Sequence, residues 1–436
     1  MNITISNISK IIYCIAIYLC LSPNIYALTT AYQFEDKVYR DHIKSTNLSL
    51  KDNPFLTDPI LTLGSNDKQL LLQFDDIKGG FQNYWYTIIQ VNHTFTEPSR
   101  LITTQYLSGF FEDQIINYQI AFNTLQRYTH YTLAFPNQNI QINQTGAYIL
   151  LVYENHDKDK PILTRKFYVL KPQVNIETTI RRGLLNDDLF TKQKIDVQIN
   201  LNNLNINLPA DEIKLVIQQN GRLDNIIYNV KPTFINGKKL QYTMDNINLF
   251  SGNNDFRQFD TRSLNFNYLN VVAVTHDSIT RVILHNDIDR SKQAYTFHLD
   301  ANGRFVNGLL NQNATTADVD YAWVYFNFTT NKIPPKGQFY IYGGLTDWHI
   351  DPNAQLYFDS NTNQYQGKLY LKQGYYDYQY AFIKENKDPQ TEIDFSYSEG
   401  NFYETEHNYQ IFVYYRPFGA MFDNLIGYTK FNTMSR

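Results

Sequence analysis

The pattern of hydrophobic and polar positions in this chain repeats every two residues over many short stretches. Between Tyr375 and Phe382, tyrosines at every second position alternate with a mixed set of polar and aromatic residues. Successive side chains of a β-strand point to opposite faces, so this alternation predicts a half-buried strand. Gln373-Gly374 marks a bend before it, and Tyr409–Arg416 has the same build. We expect these two segments to pair within one sandwich.

Similar runs recur along the whole chain and are separated by turns that contain Gly, Pro and Asn. Their short spacing is typical of immunoglobulin-like sandwiches, and an aromatic content of 15% favours strands over helices. The predicted fold class is all-β, with tandem immunoglobulin-like antiparallel β-sandwich domains after an N-terminal signal peptide. The remaining runs are Leu70–Phe74, Trp85–Val91, Tyr118–Phe122, Tyr131–Phe135, Ala147–Tyr153, Lys166–Leu170, Ile195–Leu201, Ile213–Ile217, Ile226–Val230, Leu240–Thr243, Leu264–Val274, Arg281–His285, Tyr321–Phe328, Gln338–Tyr342, Gln355–Phe358 and Gly367–Leu371.

Two breaks divide the chain into three predicted domains. Lys171-Pro172 forms one seam, because proline cannot continue a central strand. A polar loop rich in Asn and Thr, from Leu309 to Asp318, forms the other. The expected organisation is a signal peptide at 1–27, sandwiches at 28–170 and 171–305, a linker at 306–317 and a sandwich at 318–436.

The first residues have the composition of an export signal. Lys10 is the only charged residue before Glu35, and Ile11–Leu21 is an apolar run too short to span a membrane. We expect cleavage after Ala27, with an uncleaved anchor as the alternative. Both cysteines precede Ala27, so the mature chain has no thiol, which suits folding in an oxidising compartment. The predicted location is the periplasm.

Charge and hydropathy narrow the function further. The 38 Lys and Arg residues are balanced by 42 Asp and Glu, and no basic stripe is present, which argues against a nucleic-acid partner. No long apolar run follows the export signal, so we expect no transmembrane segment in the mature chain. Asp277-Ser278-Ile279 is a short site of a type glycosylated in some bacterial envelopes, but three-residue matches are frequent and we expect Ser278 to be unmodified.

Motifs that carry catalysis are missing from the sequence. There is no Gly-rich phosphate loop, GxSxG elbow or HExxH helix, and the nine histidines are scattered. Glu404 and Glu406 could supply the two carboxylates of a glycosidase, but exposed acids at a strand edge explain them equally well. Asp300-Ala301-Asn302-Gly303 resembles the start of a calcium loop, although an Asn-Gly hairpin turn fits it better. We expect a non-enzymatic protein without metal or cofactor.

Three segments of the last domain form a recognisable series: Gly343–Trp348, Gly367–Leu371 and Gly374–Phe382. Together they resemble the glycogen- and starch-binding module found beside amylase-type enzymes. In such modules a tryptophan stacks on sugar rings, and Trp348 is its match here. The second ring expected after the tyrosine-rich strand has no counterpart in Ile383–Lys387, which favours a packing role for Trp348. A glucan-binding envelope protein is therefore the alternative function.

A broader series of short motifs runs in order through nearly the whole mature chain. Each motif alone is weak, but the ordered series is specific and resembles the type IX secretion system plug protein family. The motifs are Tyr118–Thr124, Tyr128–Tyr131, Phe135–Asn137, Leu163–Phe167, Gln218–Arg222, Asn254–Arg257, Asp300–Gly303, Leu371–Tyr376, Glu399–Gly400, Glu404–Glu406, Tyr414–Arg416, Phe418–Gly419 and Asp423–Tyr428.

This resemblance implies a non-enzymatic periplasmic protein that plugs the periplasmic opening of a large outer-membrane translocon barrel. Tyrosine-rich surfaces suit such an interface. The candidate interface residues are Arg257, Tyr375, Asp377 and Arg416, and each has an alternative in which it only stabilises a loop or strand. Asp255 stands where the family leads us to expect glutamate, a change that keeps the charge.

Overall fold

The fold is known from a computed structural model that describes residues 30–53, 58–65, 68–186, 188–310, 316–330, 334–389 and 392–434. Strands take up 48% of the chain and helices 4%, and most strand pairs are antiparallel. The predicted all-β fold class is therefore confirmed.

Two predictions fall partly or wholly beyond the described residues. The signal peptide at 1–27, with its cleavage site after Ala27, lies outside them, as do residues 311–315 of the predicted linker. Among the residues that are described, no helix is long and apolar enough to cross a membrane.

The first domain is a sandwich built only from strands that precede residue 171. One sheet has the order β1-β12-β11-β5-β7, with β3 added parallel to β12, and the facing sheet has the order β2-β4-β9-β8. The pair β6–β10 and a short helix at Thr103–Tyr106 close one end. The strands are β1 (Lys37–Val38), β2 (Ile43–Leu50), β3 (Ile60–Thr62), β4 (Leu70–Asp76), β5 (Tyr84–Val91), β6 (Leu107–Gly109), β7 (Glu112–Gln114), β8 (Asn117–Ile120), β9 (Thr129–Phe135), β10 (Ile140–Ile142), β11 (Gly146–Glu154) and β12 (Pro161–Leu170).

The second domain begins with a sheet of order β13-β14-β18-β17, to which β19 is added beside β14. Its partner sheet starts with the pair β15–β16, preceded by a short helix at Pro209–Glu212. Alternate residues of β14 and β15 are apolar and buried, as their period-two pattern predicts. The strands are β13 (Asn175–Arg182), β14 (Lys192–Asn200), β15 (Ile213–Gln219), β16 (Ile227–Tyr228), β17 (Phe234–Asn236), β18 (Lys239–Tyr242) and β19 (Leu249–Ser251).

The third domain is one long sheet of order β20-β28-β25-β26-β27-β24-β22-β21, in which β23 also pairs with β28. Phe259 of β20 and Val271 of β21 stand at opposite ends of this order but share one hydrophobic core, so the sheet curls around that core. Single 3-10 turns occur at Thr316–Asp318, Gly344–Thr346 and Pro352–Ala354. The strands are β20 (Arg257–Asp260), β21 (Val271–His276), β22 (Thr280–Ile288), β23 (Phe305–Asn307), β24 (Tyr321–Thr329), β25 (Gly337–Tyr342), β26 (Gln355–Asp359), β27 (Gln364–Lys372) and β28 (Gly374–Lys384).

The last two strands, β29 (Asn408–Tyr415) and β30 (Asn424–Asn432), return to the second domain. There they complete a four-stranded sheet of order β16-β15-β29-β30, and their apolar side chains join the core of that domain. The third domain is thus inserted into the second, between β19 and β29.

The predicted pairing of the segments at 375–382 and 409–416 is wrong. β28 pairs with β20 and β25, whereas β29 pairs with β15 and β30. A period-two pattern tells which face of a strand is buried, but it does not identify the neighbouring strand. Strand pairing also crosses the predicted boundaries at 305 and 318, because β20–β23 join the third domain and β29–β30 the second.

Candidate functional site

Arg257, a predicted interface residue, lies inside the third domain at the start of β20. Its guanidinium donates to Glu399 Oε1 at 3.1 Å, to Asp287 Oδ1 at 3.0 Å and to the Ile288 carbonyl at 2.8 Å. Arg290 donates to the other oxygen of Glu399 at 2.6 Å and 2.9 Å. Burial alone would raise the pKa of Glu399, but these two guanidiniums hold it below its ordinary value. Arg257 therefore joins β20, β22 and the loop that contains Glu399. This matches the alternative in which Arg257 stabilises a loop or strand rather than binding a partner.

Asp377 is fully buried and caps the Asn302-Gly303 turn. Its Oδ2 accepts hydrogen bonds from the backbone N–H groups of Ala301 and Gly303, while Asp300 accepts from the N–H of Asn302 at 2.7 Å. Asn302 and Gly303 both have positive φ, as expected for an Asn-Gly turn, but no strand directly precedes them, so the turn does not close the predicted hairpin. Within the described ranges, no group of three or more His, Cys, Asp or Glu residues could hold a metal ion.

The two carboxyl groups at this turn are unusually hard to ionise. Burial is the main cause, and it raises the pKa of Asp300 to about 8 and the pKa of Asp377 to about 7. The negative charge of Asp377 raises the pKa of Asp300 further, while hydrogen bonds from the turn oppose the effect. The side chain of Tyr375, which is half-buried, hydrogen-bonds to Asp377 and also favours its charged form. The pair therefore holds protons near neutral pH.

Trp348, the predicted sugar-stacking residue, packs over the same turn. A Cβ atom at position 303 would lie 2.3 Å from the indole ring, so only glycine fits beneath it. The indole also makes edge contacts with Phe256 and Tyr342, whose ring centroids are 6.0 Å and 5.6 Å away. These contacts give Trp348 a packing role inside the third domain.

Arg416, the fourth interface candidate, lies far from the other three at the end of β29. Its guanidinium is 3.6 Å from Asp423, and about a third of its side chain is exposed. Asp423 is buried and accepts hydrogen bonds at 2.9 Å from both the backbone and the ring of His93 in the first domain. Burial alone would raise the pKa of Asp423, but these contacts and the charge of Arg416 hold it low. Arg416 is thus the partly exposed end of a contact between the first two domains.

A buried ion pair that sequence reasoning missed joins the first and third domains. Lys372 of β27 donates to Asp75 Oδ2 of β4 at 2.6 Å, and both side chains are almost completely buried. His130 and Tyr321 complete the cluster through hydrogen bonds of 2.6 Å to the same carboxylate. The sequence gives little signal for this pair, because Lys372 ends a strand that also contains Lys368, and Asp75 is followed by Asp76.

A second missed cluster joins all three domains at Asp58. This carboxylate of the first domain pairs with Arg304 of the third, and with Lys430 of the second at 3.2 Å. Tyr428 of the second domain donates to it at 2.8 Å. Burial alone would raise the pKa of Asp58, but Arg304 and Lys430 hold it below its ordinary value. One carboxylate therefore binds the three domains to one another.

Each domain contacts the other two, and a cavity lies where the three domains meet. Apolar residues from β5 and β11 pack against β15 and β29 between the first and second domains. Arg165 pairs with Asp347 at 3.0 Å between the first and third, and Tyr342 donates to Asp224 at 2.9 Å between the third and second. The cavity at this junction is partly open, has a volume of about 380 Å³ and is lined by residues of all three domains.

The cavity wall carries several cations, most of which have a carboxylate partner. Lys166 differs, because its ammonium lies 4.5 Å over the ring of Phe95 and burial lowers its pKa. Charged contacts made by Asp58, Asp75 and Arg165 surround this cavity. They cross between domains and so hold the domains in one relative position.

Comparison with known proteins connects this architecture to a family. A family described as "Type 9 secretion system plug protein 1st domain" matches residues 43–171, which is the first sandwich from β2 to β12. Residues 43–171 are therefore similar to the first domain of type IX secretion system plug proteins. The resemblance seen in the sequence is thereby confirmed.

A solved structure is similar over almost the whole chain. It is the crystal structure of a hypothetical protein from Parabacteroides merdae ATCC 43184, which is 29% identical, with a TM-score of 0.86. The match covers 92% of this chain and 100% of that chain, so it includes the inserted third domain. No curated protein matches the chain.

Proposed function

We propose that this chain is a non-enzymatic periplasmic protein that closes the periplasmic opening of the type IX outer-membrane translocon. The observation that carries the proposal is the first domain, since residues 43–171 are similar to the first domain of plug proteins. The architecture is compatible with this role because its three domains are joined by buried charges and an apolar contact.

A plug must keep its shape while it blocks an opening. Breaking a buried ion pair by removing one partner costs about 3–5 kcal/mol, so contacts such as Lys372 to Asp75 oppose domain separation. The Asp58 cluster adds the same constraint where all three domains meet. These contacts would let the chain act as one rigid body rather than as three tethered modules.

The test compares cells that express the chain with cells that lack it. Without a plug, the translocon should admit a large antibiotic that the outer membrane normally excludes, and full-length wild-type chain should restore the barrier. The mature chain should also co-purify with the translocon barrel. Normal resistance in the deletion strain, together with no retention of the barrel, would overturn the proposal.

The carbohydrate-binding alternative has a separate test. The packing of Trp348 against Phe256, Tyr342 and Gly303 favours the structural role over a stacking platform. Wild-type protein should therefore pass without retardation through a column whose resin carries immobilised glucan. Retardation that is lost in Trp348→Ala, with an unchanged unfolding transition, would establish glucan binding instead.

A further inference from the structure

Among the described residues, the first domain leaves one edge of its sandwich open along the segment from Phe110 to Phe122, where the N–H of Phe122 alone bonds to the third domain, at the carbonyl of Ala317. In this segment β7 is the last strand of one sheet and β8 is the last strand of the other. All four residues of β8 are exposed, although its alternating sequence predicts a half-buried strand. The segment therefore presents two strand edges side by side.

Large apolar side chains cover this edge. Ile116 is 68% exposed, Ile120 is 62% exposed and Phe122 is 70% exposed. Tyr118 lies beside Phe81, with ring centroids 5.2 Å apart, and both are also exposed. We refer to Phe81, Phe110, Ile116, Tyr118, Ile120 and Phe122 as the open edge.

The open edge continues the core of the first domain. Tyr118 pairs with Tyr131, which pairs with Phe74, so the three side chains lie in one row on the same face of the sheet. Phe74 and Tyr131 are fully buried and stacked, whereas Tyr118, one strand further out, is uncovered. Side chains at every second position share a face, so Ile120 belongs to the same side. The sandwich ends before this core face is covered.

The backbone of β8 is also open to a further strand. The N–H of Ala121 bonds to the carbonyl of Tyr128, so Ala121 is a hydrogen-bonded position of the ladder with β9. Hydrogen-bonded and outward-facing positions alternate in an antiparallel pair, so the N–H and C=O groups of Tyr118 and Ile120 point away from β9. Proteins usually protect such an edge with lysine, proline or a bulge, and the sequence of β8, NYQI, contains neither lysine nor proline.

The size and charge of the open edge indicate what covers it. These six side chains, which are between 43% and 70% exposed, present roughly 700 Å² of surface, and this area approaches one side of a standard protein interface. The neighbouring acids are already engaged, because Glu112 pairs with His156 and Lys158, and Asp113 accepts from Asn139. Neither acid adds an unpaired charge to the open edge, and the exposed side chains of β8 itself are uncharged.

We propose that the open edge is the docking surface for the translocon, and that an extended, uncharged, largely apolar segment of the translocon adds to β8 as a further strand. This inference rests on the proposed plug function and names the part of the chain that makes the contact. The added strand satisfies the outward backbone groups of Tyr118 and Ile120, and its side chains cover the row that begins at Phe74.

Two substitutions at Ile120 separate the side-chain contact from the backbone contact. Ile120→Asp places a charge on the apolar surface, and Ile120→Pro removes the outward N–H, which an edge strand tolerates. Phe266→Asp is the matched control, since Phe266 is 72% exposed on a loop of the third domain. Each variant is made in the full mature chain, and its urea unfolding midpoint should equal that of wild type.

The readout is the amount of translocon barrel that co-purifies with each tagged variant. Both Ile120 variants should retain at least tenfold less barrel than wild type, while Phe266→Asp retains a normal amount. In the wild-type complex, exchange at the amides of Tyr118 and Ile120 should slow at least tenfold. Equal retention by all three variants would overturn the docking surface while leaving the plug function intact.

Two other outcomes have distinct meanings. Failure of wild type itself to retain the barrel would remove the plug function and this inference together. A dimer of the purified chain that Ile120→Asp dissociates, with barrel retention unaffected, would show that a second copy covers the edge and would overturn the proposal.

Discussion

The ammonium of Lys372 lies 2.6 Å from Oδ2 of Asp75, although 297 positions separate the two residues. The pair is buried between the third and first domains, where water cannot solvate either charge. An ion pair in such a place adds little stability compared with apolar residues, but removing one partner is costly because the other charge remains buried. The pair therefore favours one relative arrangement of the domains, because any arrangement that separates Lys372 from Asp75 while both stay buried is higher in free energy.

Lys372→Met should therefore destabilise the protein by about 3–5 kcal/mol, because Asp75 stays buried without its cation. The free energy of unfolding from urea titration measures this loss. In Lys372→Met/Asp75→Asn, where neither charge remains, much of the stability should return. A single variant as stable as wild type would contradict burial of the pair.

Asp58→Asn should loosen the junction of all three domains, because Arg304 and Lys430 lose their shared carboxylate. We expect a loss of about 2–4 kcal/mol and a shift from one unfolding transition to two. Calorimetry of the mature chain detects the change. Asp157→Asn is the control, since the Asp157 carboxylate lies at the surface, where it pairs with Lys160 and accepts from the backbone N–H of Asp159. A single transition at the wild-type temperature would show that Asp58 does not hold the domains together.

The Asp300 and Asp377 pair should make the protein less stable as pH rises from about 5 to about 8. The folded state holds protons on these carboxyls up to their raised pKa values of about 8 and about 7, whereas the unfolded chain releases them near pH 4. Stability falls wherever the folded state binds more protons. We expect a loss of roughly 1–3 kcal/mol, measured by urea unfolding at several pH values. Asp300→Asn should flatten this dependence, and an unchanged slope would exclude the pair as its source.

His407 should produce the opposite trend at lower pH. Its ring is buried between Asn220 and the Gly252 carbonyl, and burial lowers its pKa to about 4. The unfolded chain takes up this proton near pH 6.5 and the folded chain does not, so stability falls as pH drops from about 6.5 to about 4. The expected loss is about 3 kcal/mol. His407→Gln should remove most of that acid dependence without lowering stability at pH 8 by a similar amount.

Arg416→Glu distinguishes an interface role from a structural one. The substitution places a second negative charge near the buried Asp423, so we expect a loss of about 1–3 kcal/mol in unfolding free energy. Arg416→Gln removes the charge without adding another and should lose less. Wild-type stability in both variants, combined with weaker retention of the translocon barrel, would assign Arg416 to the interface.

Much of the fold was predictable because local periodicity and turn chemistry act on neighbouring residues. The alternation around Tyr378 and the positive φ of Asn302 and Gly303 follow from the sequence in this way. The partner of β29 was not predictable, since nothing local distinguishes β15 from β28 as its neighbour.

The candidate site was harder to predict for a physical reason. Arg257 and Asp377 are residue types common at interfaces, yet inside the third domain Arg257 pairs with Glu399 and Asp377 accepts from the backbone N–H of Gly303, both distant in sequence. The open edge was missed because the pattern of β8 predicts burial of one face, and only the full sandwich shows that nothing within the described chain covers it.

The insertion of the third domain into the second determines the order in which the domains can fold. All strands of the first domain precede residue 171, so that sandwich can form early. In contrast, β15 cannot pair with β29 until the chain has emerged as far as residue 415. Until then its edge and the apolar residues behind it stay accessible to chaperones and proteases. A chain interrupted before Asn408 would be left with an incomplete second domain, because β15 would lack its neighbour β29.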